Sequence, residues 1–165
     1  MRKLQLICKY TFDFFASLLG LVIILPFFLV ICIAIKVNDH GSAFFKQKRI
    51  GKDGRIFEII KFRTMVLNAE KFGDGLVVQS EDDPRITKVG KLLRKTSLDE
   101  LPQLLNILLG QMSLVGPRPP VTYHPYNGYE NYPERARKRF QMRPGITGLA
   151  QVEKRNSATW DERIE

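Results

Sequence analysis

From Phe14 to Ile35 the chain carries no charged side chain. As a helix rising about 1.5 Å per residue, this run is roughly 33 Å long, enough to cross the hydrocarbon of a bilayer. A secretory signal peptide is the first competitor, because Arg2 and Lys3 can serve as its positive start. Its apolar region would be too long, however, and no A-x-A-like site follows Ile35. The run therefore reads as a membrane segment.

Two details argue against a plain crossing. Pro26 sits near the middle, where it removes a backbone donor and clashes with the carbonyl of Val22, so a break is expected there. Basic residues also flank both ends: Arg2, Lys3 and Lys9 before, then Lys36, Lys46, Lys48 and Arg49 after. The positive-inside bias wants each cluster in the cytoplasm. A re-entrant segment that dips in, bends at Pro26 and returns satisfies both clusters, whereas a straight span satisfies one. Proline is common in true transmembrane helices, so the span stays open as the alternative.

The remaining chain turns soluble after Asn38-Asp39-His40-Gly41. A length of 165 residues allows one domain with an added segment. The expected division is a membrane segment over 1–38 and a cytoplasmic domain over 39–165. Ala43 to Ile50 and Arg55 to Phe62 read as two strands around Gly51-Lys52-Asp53-Gly54, a hairpin turn. A helix is expected from about Val66, a polar loop around Gly73 to Pro84, and a short basic helix over Thr87 to Lys95. Leu98, Leu101, Leu105, Leu108 and Leu109 follow helical spacing, so Ser97 to Leu109 reads as one helix stopped by Gly110. Gly116-Pro117-Arg118-Pro119-Pro120 must be a stiff, non-helical turn. Pro133 to Met142 reads as a last basic helix, just downstream of Tyr123, Tyr126, Tyr129 and Tyr132. The fold class is α+β: a re-entrant helix broken near Pro26, a small hairpin, and several short, partly interfacial helices.

The formal net charge is +9, from 26 Lys+Arg against 17 Asp+Glu, which fits nucleic acid, anionic lipid or a phosphorylated substrate. The basic residues are spread along the chain and the tyrosines form no stacking platform, which speaks against nucleic acid. Cys8 and Cys32 form no C-x-x-C pair and have only His40 and His124 to join them. Unpaired thiols in a reducing environment are the plain reading, and a zinc site is not expected.

Asp99-Glu100 is the most informative acidic pair. Ser97-x-x-Glu100 matches a capping box, with Pro102 tolerated in the first turn, so the pair can be purely structural. The same position at a helix N-terminus keeps a carboxylate ionised, and an ionised carboxylate can attack phosphorus or bind Mg²⁺. Arg118, mounted between prolines, loses little freedom on gripping a phosphate bidentately, or is simply a surface arginine on a turn. Lys61 and Arg63 end the second strand, where a solvated basic end is the plain alternative. Arg143-Pro144-Gly145-Ile146-Thr147-Gly148 bears glycines that can cradle phosphate, but lacks a P-loop lysine pattern.

The strings Phe44-Phe45-Lys46-Gln47-Lys48-Arg49-Ile50-Gly51, Lys61-Phe62-Arg63-Thr64-Met65, Asp83-Pro84-Arg85-Ile86-Thr87, Arg94-Lys95-Thr96-Ser97-Leu98-Asp99-Glu100-Leu101-Pro102-Gln103-Leu104, Val115-Gly116-Pro117-Arg118-Pro119 and Arg143-Pro144-Gly145-Ile146-Thr147-Gly148 stand in one order. Together they resemble the motif series of the bacterial sugar transferases, the monotopic phosphoglycosyl transferases, from the N-terminal segment to about Val152. The resemblance implies an enzyme at the cytoplasmic face of the bacterial inner membrane, with a re-entrant helix broken near a proline that Pro26 matches. It implies that Asp99 attacks the β-phosphorus of a UDP-sugar, expels UMP and holds the phosphosugar covalently. Undecaprenyl phosphate then takes the phosphosugar, with Glu100 assisting. Mg²⁺ is the implied cofactor, with Asp99 a ligand, and Arg94 and Arg118 match residues facing the phosphates. Lys61, Arg63 and Arg143 stand in the matched strings as further substrate-binding candidates.

The implied role is the first membrane step of a surface glycan or glycoprotein pathway, with downstream membrane glycosyltransferases as partners and no nucleic acid. The family continues past a position like Trp160 with a further helical segment, and this chain stops at Glu165, so a truncated or unusually short member is expected. A catalytically inactive, membrane-tethered basic binding or assembly partner is the alternative; UMP release from a UDP-sugar separates the two.

Overall fold

A computed structural model describes residues 2–71 and 83–154. Its elements mix helix and strand in the expected α+β manner. Helix α1 spans Arg2–Asp39, strands β1 and β2 span Phe44–Ile50 and Ile56–Phe62, and α2 and α3 span Lys88–Thr96 and Gln103–Leu108. Strand β3 (Ser113–Val115), helix α4 (Glu134–Arg137), strand β4 (Gly145–Thr147) and helix α5 (Leu149–Lys154) follow. The described residues fall into two compact units, one drawn from Met1–Leu21, Lys46–Ile59 and Gln103–Glu165, the other from Val22–Phe45 and Ile60–Pro102.

Helix α1 holds helical hydrogen bonding on both sides of Pro26, which lies inside it. The ring still removes the donor that the Val22 carbonyl would otherwise use. The stretch Lys3–Asn38 is long and apolar enough to cross a membrane, and only 11% of its most apolar window is covered by protein. Side chains such as Ile23, Leu25 and Phe27 are more than 60% exposed. Water does not tolerate so long an apolar surface, so lipid is its natural cover.

Strands β1 and β2 pair as a two-stranded hairpin. The turn between them takes Asp53 to φ 54° and Gly54 to φ 76°, which the Asp-Gly pair tolerates. In the first unit, Phe57, Ile59, Ile107 and Met112 form a buried core with Leu104, Leu114 and Ile146. A second cluster gathers Ile50, Tyr132, Ala136 and Phe140, with Tyr126 and Tyr129 against them. Tyr132 is therefore a core residue, and the partly buried Tyr126 and Tyr129 pack edge-on against Tyr132 and Phe140. In the second unit, Ile35, Phe62 and Leu93 form the core, with Phe28, Ile31 and Cys32 of α1 beside them. Cys8 and Cys32 are free thiols.

Four expectations change. No helix starts at Val66: Met65 bridges Ile86, the Val66 N–H donates to the Arg85 carbonyl, and only a 3-10 turn follows at Ala69–Lys71. The expected loop from Gly73 to Pro84 lies mostly outside the described residues, as does Trp160. The single helix over Ser97–Leu109 is broken instead. Ser97 takes the left-handed conformation at φ 58°, Leu98–Glu100 form a 3-10 turn, and α3 begins only after Pro102. The Pro102 ring cannot donate into a helix running through it, so the leucine spacing survives while the helix does not. The basic helix after Pro133 is α4 followed by a 3-10 turn over Lys138–Gln141.

The fourth change concerns Arg143 to Gly148. Gly145–Thr147 is a strand, paired in parallel with β3 in the register Ser113 to Gly145 and Val115 to Thr147. A Cβ on Gly145 would lie 2.1 Å from the Gly116 nitrogen, and one on Gly148 would lie 2.3 Å from the Gly116 carbonyl oxygen. These glycines let two backbones meet, and that accounts for them without a phosphate cradle.

Candidate active site

Asp99 and Glu100 sit in the 3-10 turn that follows α2, both partly buried. Thr87 caps α2, its hydroxyl accepting from the Gly90 N–H at 2.9 Å. The helix then carries Arg94 through its last turn, and the left-handed Ser97 redirects the chain so that the acidic pair follows at once. The capping box expected from Ser97 and Glu100 is absent: Ser97 makes no side-chain cap, and the Glu100 N–H reaches the Ser97 carbonyl instead.

Lys61, from the end of β2, donates from Nζ to Glu100 Oε1 at 2.6 Å. Arg94 donates from Nε to the Thr64 hydroxyl at 2.8 Å. Burial pushes the Asp99 carboxyl above its ordinary range, Lys61 pulls it back, Glu100 pushes it up again, and Arg94 pulls it down. Asp99 stands in the first turn of this short 3-10 segment, and burial outweighs each of its neighbouring cations, so the net shift is upward rather than the lowering expected at a helix N-terminus. Arg94 is itself pressed down by burial and supported first by Asp99 and then by Asp83.

Four of the residues singled out in the sequence therefore meet in the second unit: Lys61, Arg94, Asp99 and Glu100. Arg63, although next but one to Lys61, is 8% exposed and packs its guanidinium against the Gly41 backbone. That is the setting of an internal arginine. Asp83 and Arg85 form a two-pronged pair, Nε to Oδ1 at 2.9 Å and Nη2 to Oδ2 at 2.6 Å, which holds the Asp83 carboxyl down to about 2. Neither this pair nor Thr64 was singled out for chemistry; they stood only inside longer strings.

Arg118 and Arg143 belong to the first unit. The Arg118 carbonyl accepts from Arg139 Nη2 at 2.9 Å, and Arg49 Nη1 donates to the Pro119 carbonyl at 3.0 Å. Two arginines thus stiffen the proline turn that presents Arg118, whose side chain lines a small cleft with Gly51, Pro117, Arg139 and Met142. Arg143 lies over the Tyr10 ring of α1, 4.1 Å from its centroid, a cation–π contact. Beside it Asp13, 2% exposed, accepts from Lys9 at 2.9 Å and from the Ser113 hydroxyl at 2.6 Å. A charged residue in the first half of α1 is in this way neutralised and bound to the domain.

Among the described residues no group of three or more His, Cys, Asp or Glu could enclose a metal. Asp99 with substrate oxygens is nevertheless the donor set that suits Mg²⁺, which commonly takes one or two carboxylates, several waters and phosphate oxygens.

What the described residues present is an α+β fold carried on a long apolar helix, with a carboxylate pair set among cations. The bacterial sugar transferase family matches residues 4–165, and the chain belongs to that family. It is 45% identical over 173 residues to the galactosyl transferase CpsE of Streptococcus agalactiae, covering 98% of this chain and 37% of that protein. It is 40% identical over 177 residues to the exopolysaccharide production protein ExoY of Sinorhizobium fredii, covering 99% and 76%. It is 42% identical over 152 residues to a UDP-glucose:undecaprenyl-phosphate glucose-1-phosphate transferase of Klebsiella pneumoniae, covering 92% and 32%. The chain thus spans about a third of the Streptococcus and Klebsiella relatives and about three quarters of the Sinorhizobium one.

Proposed function

We propose that this chain transfers a sugar 1-phosphate from a UDP-sugar to undecaprenyl phosphate, releasing UMP, at the cytoplasmic face of the bacterial inner membrane. The observation that carries the reading is the Asp99–Glu100 pair with Lys61 on Glu100 and Arg94 near Asp99. The donor and acceptor classes are those in the name of the Klebsiella relative, and the name of the Sinorhizobium relative supports a role in exopolysaccharide production. The apolar α1 suits a lipid acceptor. Downstream membrane glycosyltransferases would extend the product.

In the first half-reaction an Asp99 carboxylate oxygen attacks the β-phosphorus. A bond from oxygen to phosphorus forms as the bond to the bridging oxygen breaks, and UMP leaves with that oxygen. In the second, a phosphate oxygen of undecaprenyl phosphate attacks the same phosphorus, frees Asp99 and yields the diphosphate-linked sugar. Glu100, held by Lys61, keeps a negative edge beside the acceptor and can take its proton. Arg94 offers a guanidinium fork to the phosphates. Mg²⁺, held by Asp99 and the donor, would neutralise diphosphate charge.

The test is mass spectrometry of solubilised protein mixed with a panel of UDP-sugars and Mg²⁺, without acceptor. A sugar-phosphate adduct on Asp99 and ping-pong kinetics are expected. An Asp99→Asn protein that keeps substantial turnover would exclude the covalent route, and absence of UMP release with every donor would favour a binding role.

A further inference from the structure

We infer that Thr64 is a positioning residue for donor phosphate, because its hydroxyl occupies the Nε edge of Arg94 and leaves the Nη1–Nη2 fork to the ligand. The inference rests on the reading that Arg94 grips the donor's phosphates.

Thr64 lies two residues beyond the end of the second strand and is 7% exposed. Its carbonyl accepts from the Thr87 N–H at 3.0 Å and faces the Thr87 hydroxyl at 3.4 Å. Thr87 is the cap of α2, so the backbone of Thr64 is seated on the start of that helix. Gly90 makes the seat possible, since a Cβ there would lie 2.0 Å from the Thr64 carbonyl oxygen. Arg94 stands four residues beyond Gly90 and so on the same face of the helix, one turn further on. One residue therefore meets α2 twice, by its backbone at Gly90 and by its hydroxyl at Arg94.

The second contact decides what the guanidinium can still do. An arginine grips an oxyanion with two parallel N–H groups, either side-on through Nε and one Nη or end-on through both Nη atoms. The Nε–H of Arg94 is spent on Thr64 Oγ1 at 2.8 Å, and among the described residues this is the only hydrogen bond of its side chain. Only the end-on fork remains. A valine at 64 would keep the shape and the backbone seat but release Nε, and the fork would lose its fixed orientation.

The experiment is a double-mutant cycle read by UDP affinity in the presence of Mg²⁺, using the full chain in detergent and isothermal calorimetry. Thr64→Val should weaken UDP about tenfold, the scale of a hydrogen bond to a charged group. Thr64→Ser should bind within about threefold of the unaltered chain. Thr64→Val combined with Arg94→Ala should bind no more weakly than Arg94→Ala alone. Thermal unfolding of each variant checks the fold, and Thr64→Ala replaces Thr64→Val in the cycle should the valine protein not fold. Unchanged UDP affinity without the hydroxyl, or losses that multiply in the double variant, would overturn the inference while leaving Arg94's role intact. Arg94→Ala that binds UDP as the unaltered chain does would instead overturn the reading beneath it.

Discussion

Lys61 Nζ lies 2.6 Å from Glu100 Oε1, so the second strand of the hairpin delivers a cation directly to the carboxylate beside Asp99. That cation acts on both acids. It is bound to Glu100, and it is the strongest influence holding the Asp99 carboxyl down against burial.

Removing Lys61 therefore predicts a shift in pH dependence. A nucleophilic carboxylate works only above its pKa, so the rate of UMP release should fall on the acid side at a higher pH than an ordinary Asp would give. Lys61→Met deletes the largest lowering influence and keeps the apolar stem. The acid limb of the single-turnover rate should then move to still higher pH. A limb that stays in place would mean that Asp99 is not the group being titrated.

Asp99→Asn should stabilise the fold as it abolishes turnover. With the folded pKa of Asp99 above the unfolded value, the folded state prefers the protonated acid, and ionisation at neutral pH costs stability. Asn removes that cost. Its gain in Tm should be fully present above the folded pKa and vanish as pH falls toward the unfolded value of about 3.9. Asp83 is the opposite case: Arg85 depresses it to about 2, so Asp83→Asn should lower Tm at neutral pH. Calorimetry at several pH values reads both signs, and an Asp99→Asn protein less stable at pH 7 would contradict the first.

The hairpin was legible because strand alternation and an Asp-Gly turn are local signals, and α2 was legible from Thr87 and its basic end. The helix over Ser97–Leu109 was misread because Leu98, Leu101 and Leu105 keep helical spacing across the left-handed Ser97 and Pro102. Strands β3 and β4 could not be read, since each is three residues long and pairs with a segment far along the chain. For the candidate site, the motif exposed Asp99 and Glu100 as residues but not their ionisation. Burial is a property of the packed chain, and it decided the direction of the shift.

The parallel pairing also gives a prediction about glycine. Gly145→Ala puts a Cβ 2.1 Å from the Gly116 nitrogen and 2.4 Å from the Thr147 carbonyl oxygen, backbone atoms that cannot swing away. The cost should be about 1–3 kcal/mol of stability or more, the range for overpacking a close-packed site. Denaturant unfolding should show that loss, with the UDP affinity of the remaining folded protein close to normal. A folded Gly145→Ala protein with full stability and lost UDP affinity would restore the phosphate-cradle reading.

The two halves of α1 lead to a prediction about topology. Asp13 in the first half is bonded to Ser113, and Ile35 in the second half packs with Phe62 and Leu93. Basic residues flank both ends, and Pro26 removes the donor to Val22 between them. Arg2 and Lys52 should therefore lie on the cytoplasmic side together. Cysteines introduced at the two positions, in a chain whose Cys8 and Cys32 are replaced by serine, should be equally protected from a membrane-impermeant reagent in intact cells. Labelling at one position and not the other would establish a true span. Pro26→Ala restores the missing donor and favours a straight helix, so it should raise labelling at one end only, and UMP release should fall with the fraction of chains that cross.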